Sequence, residues 1–261
     1  MNYIDIHGHY AWGIDDGIQS REMADEALQK ASQQHIDQII ATPHDISGKT
    51  TLEDIEHFKE RIGELRELAK QYSIEIYEGC ELFLNDLYLT QIRENRIIPI
   101  NKTKYLLVEF DVRKEMEETT DMFYDRLFAV KNAGYKPVLA HCERYFKKPI
   151  DLDLIDDILD FGVVIQVNSS SLMHPNTIAG KNAFTLLQNN KVHLIASDTH
   201  RSKDHRYPNL DDCYKMLAKD YDEEDLSLLF RKNQAAILKE EQVENTRFVK
   251  KGLFKKRWER G

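Results

Sequence analysis

The sequence predicts a single-domain α/β protein built from βα units around parallel strands. Seven short, apolar, β-branched runs alternate with amphipathic segments along the 261 residues. No Pro-, Gly- or Ser-rich linker divides them. A chain of this length can bury a substantial core without disulfide or metal staples.

The strands are expected at residues 3–10, 38–44, 74–82, 105–110, 136–141, 163–169 and 192–200. Between the second and third runs, Ile55, Phe58, Ile62, Leu65, Leu68 and Ala69 recur every three or four residues, the period of an amphipathic helix. Thr51 and Asp54 have the spacing of an N-cap at its start. Gly134 and Gly162 follow two further helical patterns, where a left-handed terminal residue is needed. Seven parallel strands can form an open sheet or a closed barrel, and periodicity alone leaves both open.

Several classes fall away. No apolar run approaches the ~18 residues a membrane helix needs. The start, Met1-Asn2-Tyr3-Ile4-Asp5, has no basic-then-apolar signal pattern, so a cytoplasmic location is expected. Cys80, Cys142 and Cys213 are few, scattered and odd in number, which fits a reducing compartment. Without a C-x-x-C pair, a thiolate zinc site is not expected.

Charge is unevenly placed. The chain carries −9 in all, yet residues 247–261 hold seven basic side chains against the single acid Glu259. The remaining body is strongly acidic, which argues against general affinity for nucleic acid. Phe248, Leu253, Phe254 and Trp258 interleave with the terminal cations. Residues 1–246 are therefore expected as the folded body. Residues 247–261 are expected as a basic-aromatic tail, either touching an anionic membrane or acidic partner, or simply solvated.

Six of the seven expected strands end in a potential metal ligand. These residues are His7 and His9, His44, Glu81, Glu109, His141, and Asp198 with His200. The sixth strand ends instead in Asn168 and Ser169. Side chains at i and i+2 share a strand face. So His7 and His9 should point together with Asp5 below them, and Ile4 and Ile6 should lie opposite, under helices. In a closed β/α barrel such strand ends meet at one mouth. This set exceeds the needs of one ion, so two or three are expected. Imidazoles and carboxylates without thiolate suit Mn, Fe or Zn. Glu81 and Glu109 each have two oxygens with which to bridge ions. The other histidines, His35, His57, His174 and His193, read as ordinary hydrogen-bonded residues.

Cations follow the same strand ends. Arg144 stands three residues beyond His141, while Arg201 and Arg206 follow His200. The planar guanidinium fork suits a phosphate, so a phosphorylated substrate is expected.

These motifs together resemble a known family. They are Tyr3-Ile-Asp-Ile-His-Gly-His9, Asp15-Asp16-Gly17, Ala41-Thr-Pro-His44, Gly79-Cys-Glu-Leu82, Leu107-Val-Glu-Phe110, Ala140-His-Cys-Glu-Arg-Tyr145 and Ala196-Ser-Asp-Thr-His200. In order and spacing the chain is similar to the PHP (polymerase and histidinol phosphatase) superfamily. Within it, the chain more closely resembles the manganese-dependent protein-tyrosine phosphatases of bacterial capsular and exopolysaccharide gene clusters. The resemblance implies a distorted seven-stranded β/α barrel, similar to a TIM barrel, holding three divalent ions. It implies one ion on His7, His9, Glu81 and Asp198, and a second on Glu81, Glu109 and His141. The third would lie on His44, His200 and an acid of the Asp15-Asp16 pair, with Asp16 preferred. Arg144 and Arg206 would match the substrate-phosphate arginines, with Arg201 as competitor to Arg206. The implied substrate is phosphotyrosine on a bacterial tyrosine kinase acting at the inner face of the membrane. The alternative within the superfamily is a small-molecule phosphatase such as histidinol phosphatase.

The implied chemistry is in-line attack by a hydroxide held on metal, with Arg144 steadying the phosphoryl oxygens and Asp16 or a metal assisting the leaving phenol. A thiol mechanism is excluded by counting. Cysteine-dependent tyrosine phosphatases need an Arg six positions after the nucleophile. Here Cys80 meets Asp86, Cys142 meets Lys148 and Cys213 meets Lys219. Cys142 should point away from His141 as a packed thiol.

Overall fold

The computed structural model describes residues 1–114 and 120–247, so almost all of the basic-aromatic tail lies outside the described residues. Among the described residues there are nine strand segments. They are β1 (Tyr3–Gly8), β2 (Ile36–Ala41), β3 (His44–Ile46), β4 (Glu75–Glu78), β5 (Glu81–Phe83), β6 (Tyr105–Glu109), β7 (Lys136–Leu139), β8 (Val164–Asn168) and β9 (Leu194–Ala196). The α-helices between and after them are α1 (Arg21–Gln33), α2 (Leu52–Ala69), α3 (Tyr88–Arg93), α4 (Thr120–Asn132), α5 (Leu152–Asp160), α6 (Ser169–Met173), α7 (Ile178–Gln188), α8 (Leu210–Leu217), α9 (Glu223–Ser227) and α10 (Asn233–Leu238). None is long and apolar enough to cross a membrane.

All strand pairings are parallel. One sheet runs β1-β2-β4 and the other β3-β5-β6-β7-β8-β9. The nine segments replace the seven strands expected because two passes of the chain are interrupted. Thr42-Pro43 separates β2 from β3, and Gly79-Cys80 separates β4 from β5. Proline has no N–H for a ladder. The Thr42 hydroxyl instead accepts from the Gly8 N–H at 3.0 Å. Beyond β1 and β9 the two sheets meet. Gly8 bridges Thr199 in parallel. The Asp198 N–H donates to the His7 carbonyl at 3.0 Å, and the His9 N–H to the Thr199 carbonyl at 2.8 Å.

The helical signals correspond to observed features. Thr51 and Asp54 cap α2 reciprocally, each side chain accepting from the other's backbone N–H. Ile55, Phe58, Ile62, Leu65, Leu68 and Ala69 form its buried face. Gly134 and Gly162 take positive φ, after α4 and α5.

Two apolar clusters result. The larger lies between strands and helices and includes Cys142, which is buried like Cys80 and Cys213. The smaller gathers strand residues, among them Ile40, Leu107, Val138, Val164 and Leu194, with Ile237 of α10. Ile4 and Ile6 belong to this second cluster, not to the helix-covered one expected for them. Alternation holds through Ile6, with Tyr3 on the helix side; the register then shifts between Asp5 and Gly8, where His7 joins the side of Ile4 and Ile6 and meets Gln166. Elsewhere alternation holds. In β6, Leu107 of that cluster and Glu109 are two residues apart, and in β8 Val164 precedes Gln166 and Asn168 at the same spacing.

Candidate metal centre

Each candidate ligand except Asp16, which lies in the loop between β1 and α1, sits at the C-terminal side of a strand pass. His7 lies in β1 and His9 just after it. His44 opens β3, Glu81 opens β5, and Glu109 closes β6. His141 follows β7 by two residues, and Asp198 and His200 follow β9. The interruptions of the second and third passes matter here. β3 pairs with β5 in a register that sets His44 directly beside Glu81.

The side chains converge. Glu81 Oε2 lies 3.2 Å from His7 Nε2, 3.3 Å from His9 Nε2 and 3.1 Å from His44 Nδ1. Glu81 Oε1 lies 3.0 Å from His141 Nε2. Glu109 approaches His44 Nδ1 at 3.0 Å and His141 Nε2 at 3.6 Å. Asp198 Oδ1 lies 3.5 Å from His7 Nε2, 3.6 Å from His9 Nε2 and 3.4 Å from His200 Nδ1. Asp16 Oδ1 faces His44 Nε2 at 3.3 Å and His200 Nε2 at 3.5 Å.

Many of these contacts are not hydrogen bonds. His44 Nδ1, Glu81 Oε2 and His200 Nε2, which face this cluster, are buried and lack a hydrogen-bond partner, although His44 Nδ1 and Glu81 Oε2 are close neighbours. His7 Nε2 and His9 Nε2, two nitrogens, stand 3.3 Å apart. Unpaired buried polar atoms are costly and rare. Atoms that each lie about 2.1 Å from one ion stand roughly 3.0–3.4 Å from one another. The spacing and the orphaned atoms therefore fit cations between these side chains. Groups of three ligands within reach of a common ion include His7, His9 and Asp198; His9, His44 and His200; His44, Glu81 and Glu109; and Asp15, Asp16 and His44.

The electrostatics match such crowding. Burial disfavours charge on His7, but Glu81 and Asp198 outweigh it and raise its pKa to about 9. Burial dominates at His141 and His200, both lowered to about 4. Burial also opposes charge on Glu81, yet His7 and His44 hold its carboxyl well below the usual range. Burial, then the Glu81 carboxylate, pushes Glu109 up. His141 (φ 34°), Asp198 (φ 54°) and Arg206 (φ 61°) all occupy the left-handed region. A non-glycine residue held there costs about 1–3 kcal/mol, a strain typical of functional sites.

The aspartate pair divides its work. Asp15 is nearly buried; its Oδ2 meets His9 Nδ1 at 2.7 Å and accepts the His44 N–H at 2.9 Å. It orients histidines from behind. Asp16 is exposed at the rim. The following Gly17 is required by close approach, since a Cβ there would lie 2.3 Å from that of His9.

Arg144 Nη1 reaches Asp198 Oδ2 at 3.3 Å, and Arg206 Nη2 reaches Asp198 Oδ1 at 2.6 Å. Both line a cavity of about 730 Å³ with Asp16, His44, Glu109 and His141. Ile14, Ile46, Phe58, Phe83 and Val112 supply apolar wall. Arg201 is exposed and is not part of that lining. His35, His57 and His174 are exposed and stand outside the ligand groups.

Four residues support the centre in ways the sequence does not announce. The sequence offers Asp15 as a ligand, whereas the structure makes it the partner of His9. Gln166 and Asn168 of β8 touch His7, His141 and Asp198. The available signal was a glutamine inside the apolar run Val163-Val-Ile-Gln-Val167. Asp5, placed below the histidines, instead accepts from the Ser197 N–H at 3.0 Å and so ties β1 to the residue before Asp198.

Comparison with known proteins follows this geometry. A crystal-structure chain from a study of YwqE from Bacillus subtilis and CpsB from Streptococcus pneumoniae, described as unique metal-dependent tyrosine phosphatases, superposes with a TM-score of 0.75 at 24% identity, covering 94% of this chain and 99% of that one. The tyrosine-protein phosphatase CpsB of Streptococcus agalactiae serotype III (strain NEM316) is 30% identical over 244 residues, 90% of this chain and 98% of the relative. The tyrosine-protein phosphatase YwqE of Bacillus subtilis (strain 168) is 28% identical over 253 residues, 92% of this chain and 93% of the relative. The family model described as capsular polysaccharide synthesis, CpsB/CapC, matches residues 3–239, and the chain belongs to that family.

Proposed function

We propose that this protein is a metal-dependent protein-tyrosine phosphatase acting on a bacterial tyrosine kinase of capsular or exopolysaccharide synthesis. The observation that carries this reading is the convergence of five imidazoles and four carboxylates, with orphaned atoms, beside two arginines in one cavity. Named phosphatases among its relatives support it.

The two sheets are read as one distorted barrel of seven chain passes, with the Gly8–Thr199 bridge as its seam. Three divalent ions, manganese first and iron or zinc next, would be held by His7, His9, Glu81 and Asp198; by Glu81, Glu109 and His141; and by His44, His200 and Asp16. Bound there, they would supply Lewis acidity toward the phosphoryl group and a nucleophile at neutral pH.

The chain's own residues do the rest. Arg144 and Arg206 offer guanidinium donors to the non-bridging phosphoryl oxygens. Both hold Asp198 from the cavity side, so an incoming anion has donors already in place. The apolar wall of Ile14, Ile46, Phe58, Phe83 and Val112 suits an aromatic ring bearing the phosphate. A phenol leaves with a pKa near ~10, so little proton assistance is needed. Asp15 orients His9 throughout.

The test is phosphate release from a phosphotyrosine peptide and from histidinol phosphate, with manganese and with chelator. Chelator-sensitive release from the peptide is expected; preference for histidinol phosphate would reassign the substrate. The tail 247–261 is read as a contact with anionic membrane at the inner face. Equal partitioning of the full and truncated chains onto anionic vesicles would remove that role.

A further inference from the structure

Strand β8 contributes no candidate ligand, yet it carries two buried amides in line, Gln166 and Asn168. Their orientation can be worked out from a single donor. The His141 backbone N–H approaches Gln166 at 2.9 Å. A backbone N–H only donates, so the amide atom facing it is the oxygen, Oε1. That same oxygen lies 3.1 Å from His7 Nδ1. Facing an acceptor, Nδ1 of the neutral imidazole carries the proton, and Nε2 keeps its lone pair. Nε2 is the atom turned toward Glu81, Asp198 and His9.

The other end of Gln166 follows. Its Nε2 donates to Asn168 Oδ1 at 2.8 Å. Asn168 Nδ2 is thereby turned outward and donates to Asp198 Oδ2 at 2.8 Å. With Oδ2 engaged, Asp198 presents Oδ1 to His7, His9 and His200. Asn168 is itself braced, its N–H donating to Glu143 Oε1 at 3.2 Å while the Ser171 hydroxyl donates to the same oxygen at 2.6 Å.

We propose that Gln166 and Asn168 form a positioning relay, polarised by the His141 N–H, that sets the tautomer of His7 and the presented oxygen of Asp198. The relay deepens the metal-centre reading and rests on it. It links two side chains of the first proposed ion site, His7 and Asp198, to the backbone of His141 in the second, through a strand that supplies no ligand.

The experiment compares the full-length chain with Gln166→Met, Gln166→Glu, Asn168→Leu and the Gln166→Met/Asn168→Leu double variant. Manganese affinity is read by competition with a fluorescent chelator. Gln166→Met should bind about 10–100-fold more weakly, as for other groups that orient metal ligands. The double variant should lose little beyond Gln166→Met, because a relay already broken at its first amide leaves Asn168 without orientation. Losses that multiply would mean two independent packing roles and would overturn the relay.

Histidine-selective ¹⁵N NMR of the zinc-loaded chain gives the second readout. His7 should be protonated on Nδ1, with a slowly exchanging proton. Gln166→Met should lose that slow exchange. Gln166→Glu keeps the acceptor and should retain it. Protonation of His7 on Nε2, or an unchanged Nδ1 proton in Gln166→Met, would overturn the proposal. Should the wild-type chain bind neither manganese nor zinc, the metal-centre reading falls. The exchange rate of the His7 Nδ1 proton in the metal-free chain then decides the relay alone: faster exchange in Gln166→Met than in wild type is expected, and equal rates would overturn it.

Discussion

The two ends of the same strands hold histidines of very different standing. At the N-terminal end, His193 is buried, its Nδ1 accepts the Ile165 N–H at 3.0 Å, and its Nε2 meets Asn245 Oδ1 at 2.8 Å. Both nitrogens are used. The segment carrying Asn245 straps this end of the molecule. The Tyr105 hydroxyl donates to the Glu241 carbonyl, the Glu244 N–H to Asn233, and the Thr246 hydroxyl to the Val192 carbonyl. At the C-terminal end, His44, His141 and His200 each keep a buried nitrogen without a partner. Burial alone does not mark a functional histidine. Unspent hydrogen-bonding capacity, gathered in one place, does.

The largest effect should follow from metal removal. Chelation should lower phosphotyrosine hydrolysis about a thousand-fold, equivalent to about 4 kcal/mol at the transition state. Turnover that persists in a chelated, metal-free sample would erase the functional contrast between the two ends.

Single candidate ligands come next. His7→Ala, Glu109→Ala and His200→Ala should each lose at least ~100-fold in kcat/KM while keeping a cooperative unfolding transition. His193→Ala should instead retain activity within about two-fold. It should lose about 1–3 kcal/mol of stability in denaturant melts, because the buried Ile165 N–H is left unpaired. A fully active Glu109→Ala protein would contradict the assignment at the mouth.

The arginines should have a smaller effect. Arg144→Ala and Arg206→Ala are each expected to cost about 10–100-fold in kcat/KM toward a phosphotyrosine peptide, the worth of a charged hydrogen bond. Arg201→Ala should cost less than about two-fold. Steady-state kinetics on the three variants decides between the competing cations.

The smallest effect concerns pH at the strapped end. Burial, only partly offset by Asn245, lowers the pKa of His193. The unfolded chain takes up a proton near ~6.5, while the folded chain resists until a lower pH. Its stabilising contribution is thus present above ~6.5 and lost as pH falls. Chelated wild type should lose more stability between pH 7.5 and 5.5 than His193→Gln. Equal losses would show that His193 does not titrate differently on folding.

Much of this was legible in the chain itself. Parallel strands joined by helices follow from the alternation of β-branched runs with three-and-four spacing, and the α2 cap from Thr51 and Asp54. Ligand-type residues at strand ends were visible because strands end where apolar runs end. What misled was alternation in β1. A register shift between Asp5 and Gly8 puts His7 on the side of Ile4 and Ile6 in place of the side of Asp5, and no local signal announces such a shift. The interruptions at Thr42-Pro43 and Gly79-Cys80 had a local cause in proline and glycine, yet their consequence, His44 set beside Glu81, is a register between distant segments.

By itself the sequence determined the residue types, their order and the strand ends that carry them, because these depend on short-range periodicity. Only the tertiary structure decided which member of each ambiguous pair faces the cavity. Asp16 stands at the rim and Asp15 behind His9 because Gly17 lets the loop close on His9. Arg206 lines the cavity and Arg201 does not because the loop folds back, with the N–H groups of His200 and Arg201 donating to the Arg206 carbonyl at 2.8 and 3.2 Å. Asp204 and Arg206 at positive φ make that return possible. Side-chain direction in an irregular loop depends on backbone dihedrals and distant hydrogen-bond partners, and neither has a period to be read along the chain.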